Sequence, residues 1–229
     1  MQGILTATGE SWKAVVFDFD GTLAKLNIDF TAMRSDVLEL ISCHRIPVER
    51  IGKFHILEMI DAAGALLAAE RPEEAIPFRH AAHALITARE MKAADEGALF
   101  DTTRRLLLEL KRRGIRTGIV TRNCRAALLR LFPGIDHYCQ TVLTREDPFR
   151  VKPHPDHLKA ALNALDAAPA DAAMVGDHPL DMQLGRETGA AAIGVLTGHS
   201  TQEELQRAGA DLIIPNAVSL LEILPGYPR

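Results

Sequence analysis

Val15-Val16-Phe17-Asp18-Phe19-Asp20-Gly21-Thr22-Leu23 is an apolar run that stops abruptly in two carboxylates separated by one residue, followed by Gly-Thr. β-Branched and aromatic side chains in a run this short predict a buried strand. Residues i and i+2 of a strand point to the same side. Asp18 and Asp20 are therefore expected to converge at the strand's C-terminal end, where open α/β sheets bind ligands. Gly21 lets the backbone turn sharply there. Two ionised carboxylates this close repel unless a cation or a shared proton compensates. The pattern fits a metal site in which one carboxylate is free to attack. It fits equally a strand that ends in a solvated acidic turn.

Three further stretches follow in order. Ile119-Val120-Thr121-Arg122-Asn123 is a second apolar run, ending in a hydroxyl residue. Lys152-Pro153-His154-Pro155 places an isolated lysine between a loop and a helix start. Ala173-Met174-Val175-Gly176-Asp177-His178-Pro179-Leu180-Asp181 is a third run, ending in two more carboxylates. Together and in this order, the stretches resemble the haloacid dehalogenase superfamily. Its four signatures are Asp-x-Asp-Gly-Thr, a Ser/Thr after a strand, a Lys, and Gly-Asp-x-x-x-Asp, and all four are present. The resemblance covers residues 13 to about 197. The first and last signatures are specific; the middle two count through their order. The stretch from Gly194-Val195-Leu196-Thr197-Gly198 to Ala210-Asp211-Leu212-Ile213-Ile214 is also similar to the family's usual ending.

Composition is compatible with one large domain or a core plus a smaller one: 229 residues, 47% of them hydrophobic. A net charge of −4 and a sequence pI near 6.1 give no general attraction for nucleic acid. Cys43, Cys124 and Cys139 have no metal-ligand spacing, cannot all pair, and fit a reducing compartment. The N-terminus has no charged-then-apolar signal pattern, and no apolar run is long enough for a bilayer. The expectation is a soluble cytoplasmic protein with no nucleic-acid or membrane partner.

From residue 100 onward strand and helix signals alternate, which predicts βαβ units and a parallel sheet. Asp101 is expected to cap a helix that Gly114 stops. Strands are expected over residues 115–121, near 140–144, and over 172–177, 191–196 and 212–214. Helices are expected over residues 123–132, 155–166, 179–188 and 201–208, the last with a capping box from Ser200 and Glu203. Residues 25–96 differ. Alanine is abundant, the apolar spacing is helical, and Pro47, Pro72 and Pro77 divide the stretch. The predicted architecture is an α/β, doubly wound, Rossmann-like core over residues 1–24 and 97–229, with a small α-helical domain inserted over 25–96. The resemblance makes that insertion a cap domain.

The resemblance also assigns chemistry. Asp18 is the expected nucleophile, attacking phosphorus to form an aspartyl-phosphate. Asp20 is suited to protonate the leaving oxygen and then deprotonate water, with its backbone carbonyl touching the metal. Mg²⁺ is expected on Asp18, Asp177 and Asp181, the last directly or through water. Thr121 and Asn123 are expected to bind phosphate oxygens, and Lys152 to neutralise charge developing on phosphate and Asp18. Gly176 is read as serving a turn. Arg122 can reach substrate or face water. His154 and His178 are read as bystanders and Cys124 as a small buried residue. Arg34, Lys53, His55, Arg79, His80 and His83 are unranked candidates for substrate contacts in the insertion.

The implied protein is a Mg²⁺-dependent phosphatase for a small phosphomonoester, similar to the phosphoglycolate phosphatase-like branch and acting as a monomer or homodimer. A phosphosugar mutase on the same scaffold is the alternative. A dehalogenase would need neither metal nor leaving-group acid, so Asp20 and Asp177 argue against it. The intact set of carboxylates argues against a silent scaffold.

Overall fold

A computed structural model describes residues 12–52, 54–147 and 150–224, and in it the first apolar run forms strand β1 (Ala14–Phe17), buried throughout. The remaining elements, in chain order, are β2 (Ala24–Lys25), α1 (Phe30–Cys43), α2 (Ile56–Glu70), α3 (Pro72–Glu96), β3 (Ala98–Leu99), α4 (Thr103–Arg112), β4 (Arg116–Val120), α5 (Arg125–Leu131), β5 (Thr141–Leu143), α6 (Asp156–Ala164), β6 (Ala172–Gly176), α7 (Pro179–Thr188), β7 (Ala191–Val195), α8 (Gln202–Arg207), β8 (Leu212–Ile214) and α9 (Leu220–Ile223). No helix among the described residues is long and apolar enough to cross a membrane.

The described parts of Met1–Leu26 and Gly97–Arg229 form one compact unit. Six strands make its sheet in the order β5-β4-β1-β6-β7-β8, with every neighbouring pair parallel. The chain steps outward from β1 to β4 and β5, then returns to the other side of β1 for β6. This is a doubly wound α/β fold with its switch point beside β1. Right-handed crossovers put connections that run in opposite directions along the sheet on opposite faces. Accordingly, Ala14 and Val16 pack with Leu158, Leu162 and Leu184 from α6 and α7, while Val15 and Phe17 point to the other face. All four of these β1 residues have no exposed surface, and each large one stabilises the sheet by about 1.5–3 kcal/mol.

Asn27–Glu96 is a second compact unit, built from α1, α2 and α3. Its apolar positions recur at helical spacing and are buried: Met33, Val37 and Ile41 in α1; Met59, Ile60, Ala63 and Leu67 in α2; Phe78, Ala82 and Ile86 in α3. The chain leaves and re-enters the first unit through β2 and β3, which pair antiparallel in a two-stranded ribbon.

Several local expectations need correction. Pro77 does not divide the insertion; it lies inside α3, near the start. It removes one backbone hydrogen bond there, and the buried apolar positions that follow hold the helix. Asp101 is not the cap of α4: Thr102 occupies that position, and the Thr103 hydroxyl anchors the first turn to the Leu23 carbonyl. The α8 capping box is one residue later than expected, from Thr201 and Glu204. The doublets Ser200-Thr201 and Glu203-Glu204 fit either frame by spacing alone. The β2–β3 ribbon, with two residues per strand, is too short to leave a periodic signal.

Candidate active site

The parallel sheet decides which residues meet. Phe17 pairs with Ile119 of β4 on one side and Val175 of β6 on the other. Neighbouring strands lie about 4.8 Å apart. The residues just past these three strand ends, Asp18, Thr121 and Asp177, are therefore brought side by side at one edge. The Asp18 N–H donates to the Val175 carbonyl at 2.8 Å, and the Thr121 N–H to the Leu143 carbonyl at 2.9 Å. All three side chains are buried.

Asp181 joins them from the first turn of α7. One carboxylate oxygen accepts the His178 N–H at 3.1 Å, completing the helix's N-terminal cap. The other accepts from Lys152 Nζ at 2.7 Å. The same ammonium also donates to Asp18 Oδ1. Lys152, 4% exposed, thus bridges the candidate nucleophile and the α7 carboxylate. Asp177 accepts from the Thr22 hydroxyl at 3.2 Å.

Glycines make room for these acids. A Cβ on Gly21, whose φ is +80°, would lie 2.5 Å from Asp177 Oδ2. One on Gly198 would lie 1.7 Å from the same oxygen, and one on Gly176 2.2 Å from Asp181 Oδ2. Gly176 therefore serves carboxylate clearance rather than a turn. Thr197, beside Gly198, donates its hydroxyl to the Gly21 carbonyl and holds the loop that carries Asp20 and Gly21.

Asp18, Asp177 and Asp181 each offer an oxygen within 4.8 Å of the others. Three carboxylates face one ammonium, so the cluster carries an excess of negative charge. Burial, the largest effect, pushes the Asp177 carboxyl up to about 8, and Asp18 and Asp181 add to it. Burial likewise raises Asp18, although Lys152 opposes the rise. Burial works against the Lys152 charge, but Asp18 and Asp181 outweigh it and lift its pKa. An all-oxygen, buried, anion-rich donor set fits a hard divalent cation such as Mg²⁺.

Asp20 does not join this cluster. β1 ends at Phe17, so strand alternation no longer governs the two acids, and Asp20 turns back to accept the Leu26 N–H at 2.8 Å. Burial pushes its carboxyl up to about 7, only partly countered by that hydrogen bond. A carboxyl poised there can both give and take a proton near neutral pH.

Thr121 Oγ1 accepts the Asn123 N–H at 3.2 Å, and Asn123 is 8% exposed with no partner on its side-chain nitrogen. A buried donor left unpaired is costly, which makes it a ready contact for an anion. Arg122 donates Nη1 to the Lys152 carbonyl at 2.5 Å. His154 accepts the Asp156 N–H and His178 the Leu180 N–H, each at 3.2 Å and each at a helix start. Cys124 is fully buried and caps α5.

In the helical unit Arg34 donates to the Phe54 carbonyl and Arg79 to Asp61, so both guanidinium groups already have partners within the unit. His55 precedes α2, and His80 and His83 are exposed on α3. Lys53 lies outside the described residues. Sequence reading missed His157, which is fully buried beside Lys152. A histidine in the first turn of a helix carries no signal by itself; only the fold places it against the lysine.

A family model described as haloacid dehalogenase-like hydrolase matches residues 15–195. A curated relative, Pyrophosphatase PpaX of Bacillus cereus, is 34% identical over 133 residues, covering 57% of this chain and 61% of that relative. The Bacillus pumilus Pyrophosphatase PpaX is 27% identical over 215 residues, 92% of this chain and 95% of its own length. Among solved structures, a haloacid dehalogenase-like hydrolase from Bacteroides fragilis superposes with a TM-score of 0.67 at 26% identity, covering 92% of this chain and all of that one.

Proposed function

The chain belongs to the haloacid dehalogenase-like hydrolase family, and on that premise we propose that it is a Mg²⁺-dependent phosphatase of small phosphorylated molecules, working through a phosphorylated Asp18. The observation that carries this reading is the buried cluster of Asp18, Asp177 and Asp181 bridged by Lys152.

In this reading Asp18, Asp177, Asp181 and the Asp20 backbone carbonyl hold the ion. Bound there, Mg²⁺ supplies positive charge that offsets repulsion between carboxylate and phosphate. Thr121 and the unpaired side-chain nitrogen of Asn123 donate to phosphate oxygens. Lys152 holds Asp18 in place and stabilises charge on the transferring phosphoryl group. An Asp18 oxygen forms a bond to phosphorus as the bond to the leaving oxygen breaks. Asp20, protonated near neutral pH, gives its proton to that oxygen. It then takes a proton from the water that attacks phosphorus, which releases phosphate and restores Asp18.

The substrate is a small phosphomonoester such as phosphoglycolate, or pyrophosphate, the compound named by the PpaX relatives. The helical unit Asn27–Glu96 acts as a cap that selects among them; the proposed chemical groups all belong to the other unit. The test is phosphate release from phosphoglycolate, pyrophosphate and an aryl phosphate, with Mg²⁺ and after exhaustive chelation. Turnover that needs Mg²⁺ and returns when it is restored is expected. Full activity after chelation rejects the metal, and no release from any of the three rejects the phosphatase reading.

A further inference from the structure

Lys152 can bridge Asp18 and Asp181 only if its backbone is pinned, because four rotatable bonds lie between its Cα and the ammonium. It sits in the segment between β5 and α6, where no ladder or helix hydrogen bond holds it. Side chains do so instead. Arg122 Nη1 donates to the Lys152 carbonyl, and the Lys152 N–H donates to His157 Nδ1 at 3.2 Å.

His157 lies in the first turn of α6 with none of its surface exposed. Nδ1 accepts, so the ring proton is on Nε2. Burial and the Lys152 ammonium, with a contribution from Arg122, push the imidazole down to about 3. The ring is therefore neutral at any working pH, and the acceptor is always present. Nε2 is buried and makes no well-aligned hydrogen bond, and the Leu143 backbone, which interacts with the ring, only partly opposes that downward shift. An apolar side chain of similar volume would fill the position but would leave the Lys152 N–H without this acceptor. What the histidine adds at this position is the Nδ1 acceptor.

Building on the phosphoryl-transfer reading, we propose that His157 is a positioning residue, an uncharged acceptor that holds the Lys152 backbone so that the ammonium reaches Asp18 and Asp181. It touches no substrate and acts only through the lysine.

The two roles, packing and accepting, predict opposite orders of replacement. His157→Leu keeps the apolar volume and loses the acceptor. His157→Asn keeps an acceptor oxygen close to the place of Nδ1 and packs worse. Both variants would be assayed on an aryl phosphate in Mg²⁺, with thermal unfolding recorded alongside. His157→Leu is expected to fold and to lose roughly 10-fold in kcat, with KM moved less than about 3-fold. His157→Asn is expected to melt lower yet keep at least roughly a third of the wild-type kcat. Leucine matching or exceeding asparagine in kcat, or a loss confined to KM, overturns the proposal; His157→Met replaces the leucine variant if that one does not fold. Should the wild-type protein release no phosphate, the phosphatase reading fails by itself. The imidazole ¹⁵N shifts of His157 still judge this proposal: a proton on Nε2 upholds the acceptor, and a proton on Nδ1 rejects it.

Discussion

Asp18 is held by Lys152 and faces Asp177 and Asp181, so its charge and its shape can be separated by substitution. Asp18→Asn keeps the shape and removes the attacking oxygen's charge; turnover should fall to background, and appreciable turnover by a pure variant rejects covalent catalysis. Asp20→Asn should be milder and selective. Its carboxyl, raised to about 7, is proposed to protonate the leaving oxygen. The loss should be large on an alkyl phosphate and small on an activated aryl phosphate, whose leaving group needs little help. Equal losses on both substrates argue that Asp20 is structural. Gly21→Ala tests space rather than charge. Its φ of +80° disfavours alanine, and the new Cβ would press on the Asp177 carboxylate. A stability loss of about 1–3 kcal/mol in denaturant unfolding is expected, together with weakened Mg²⁺ dependence. A variant that unfolds and responds to Mg²⁺ as the wild type does rejects the steric argument.

At the scale of elements, α7 couples helix capping to the site. Asp181 accepts from the His178 N–H with one oxygen and from Lys152 with the other. Asp181→Ala removes both acceptors and should cost about 1–3 kcal/mol. Asp181→Asn keeps a cap acceptor and should cost less; equal losses by denaturant titration would show that the cap contributes nothing. The helical unit invites a different experiment. Arg34 and Arg79 have partners inside the unit, whereas His80 is exposed on α3. If the unit selects substrate, His80→Ala should alter the ranking among phosphometabolites, chiefly through KM, and leave an aryl phosphate nearly unaffected. Equal loss on every substrate, with the fold intact, would place the unit in the catalytic machinery.

For the whole molecule, the crowded acids link stability to pH. A carboxyl in the unfolded chain loses its proton near about 3.9, whereas Asp20 and Asp177 in the folded chain hold theirs to about 7 and about 8. The folded state binds more protons across that window. Their contribution to stability is therefore fully present below about pH 4 and is lost as pH rises toward 8. Without divalent cations, the melting temperature should fall between about pH 5.5 and pH 8. Mg²⁺ should raise it more at the upper end, because cation and protons compete for the same oxygens. A melting curve flat in pH and unmoved by Mg²⁺ would count against both the raised carboxyls and the metal site.

The sequence by itself determined the signals that are local. Each apolar run ending in Asp18, Thr121 or Asp177 announces a buried strand and a polar edge. The alternation after residue 100 announces a parallel sheet, and the alanine-rich spacing of residues 25–96 announces helices. The family resemblance tied the separate ends to one chemistry. Only the tertiary structure decided which groups meet. Alternation along one strand pairs Asp18 with Asp20. The strand ends at Phe17, however, and the strand order instead puts Asp18 beside Asp177, with Asp181 reaching in from α7. Lys152 reaches Asp18 across 134 residues of chain, and His157 matters only because α6 sets it against that lysine. Gly176 looks like a turn residue in the sequence, but in the fold both it and Gly198 are spaces left for carboxylates. Periodicity and end signals depend on neighbours in the chain. Burial, charge crowding and clearance depend on residues brought together by the sheet, and those set the site.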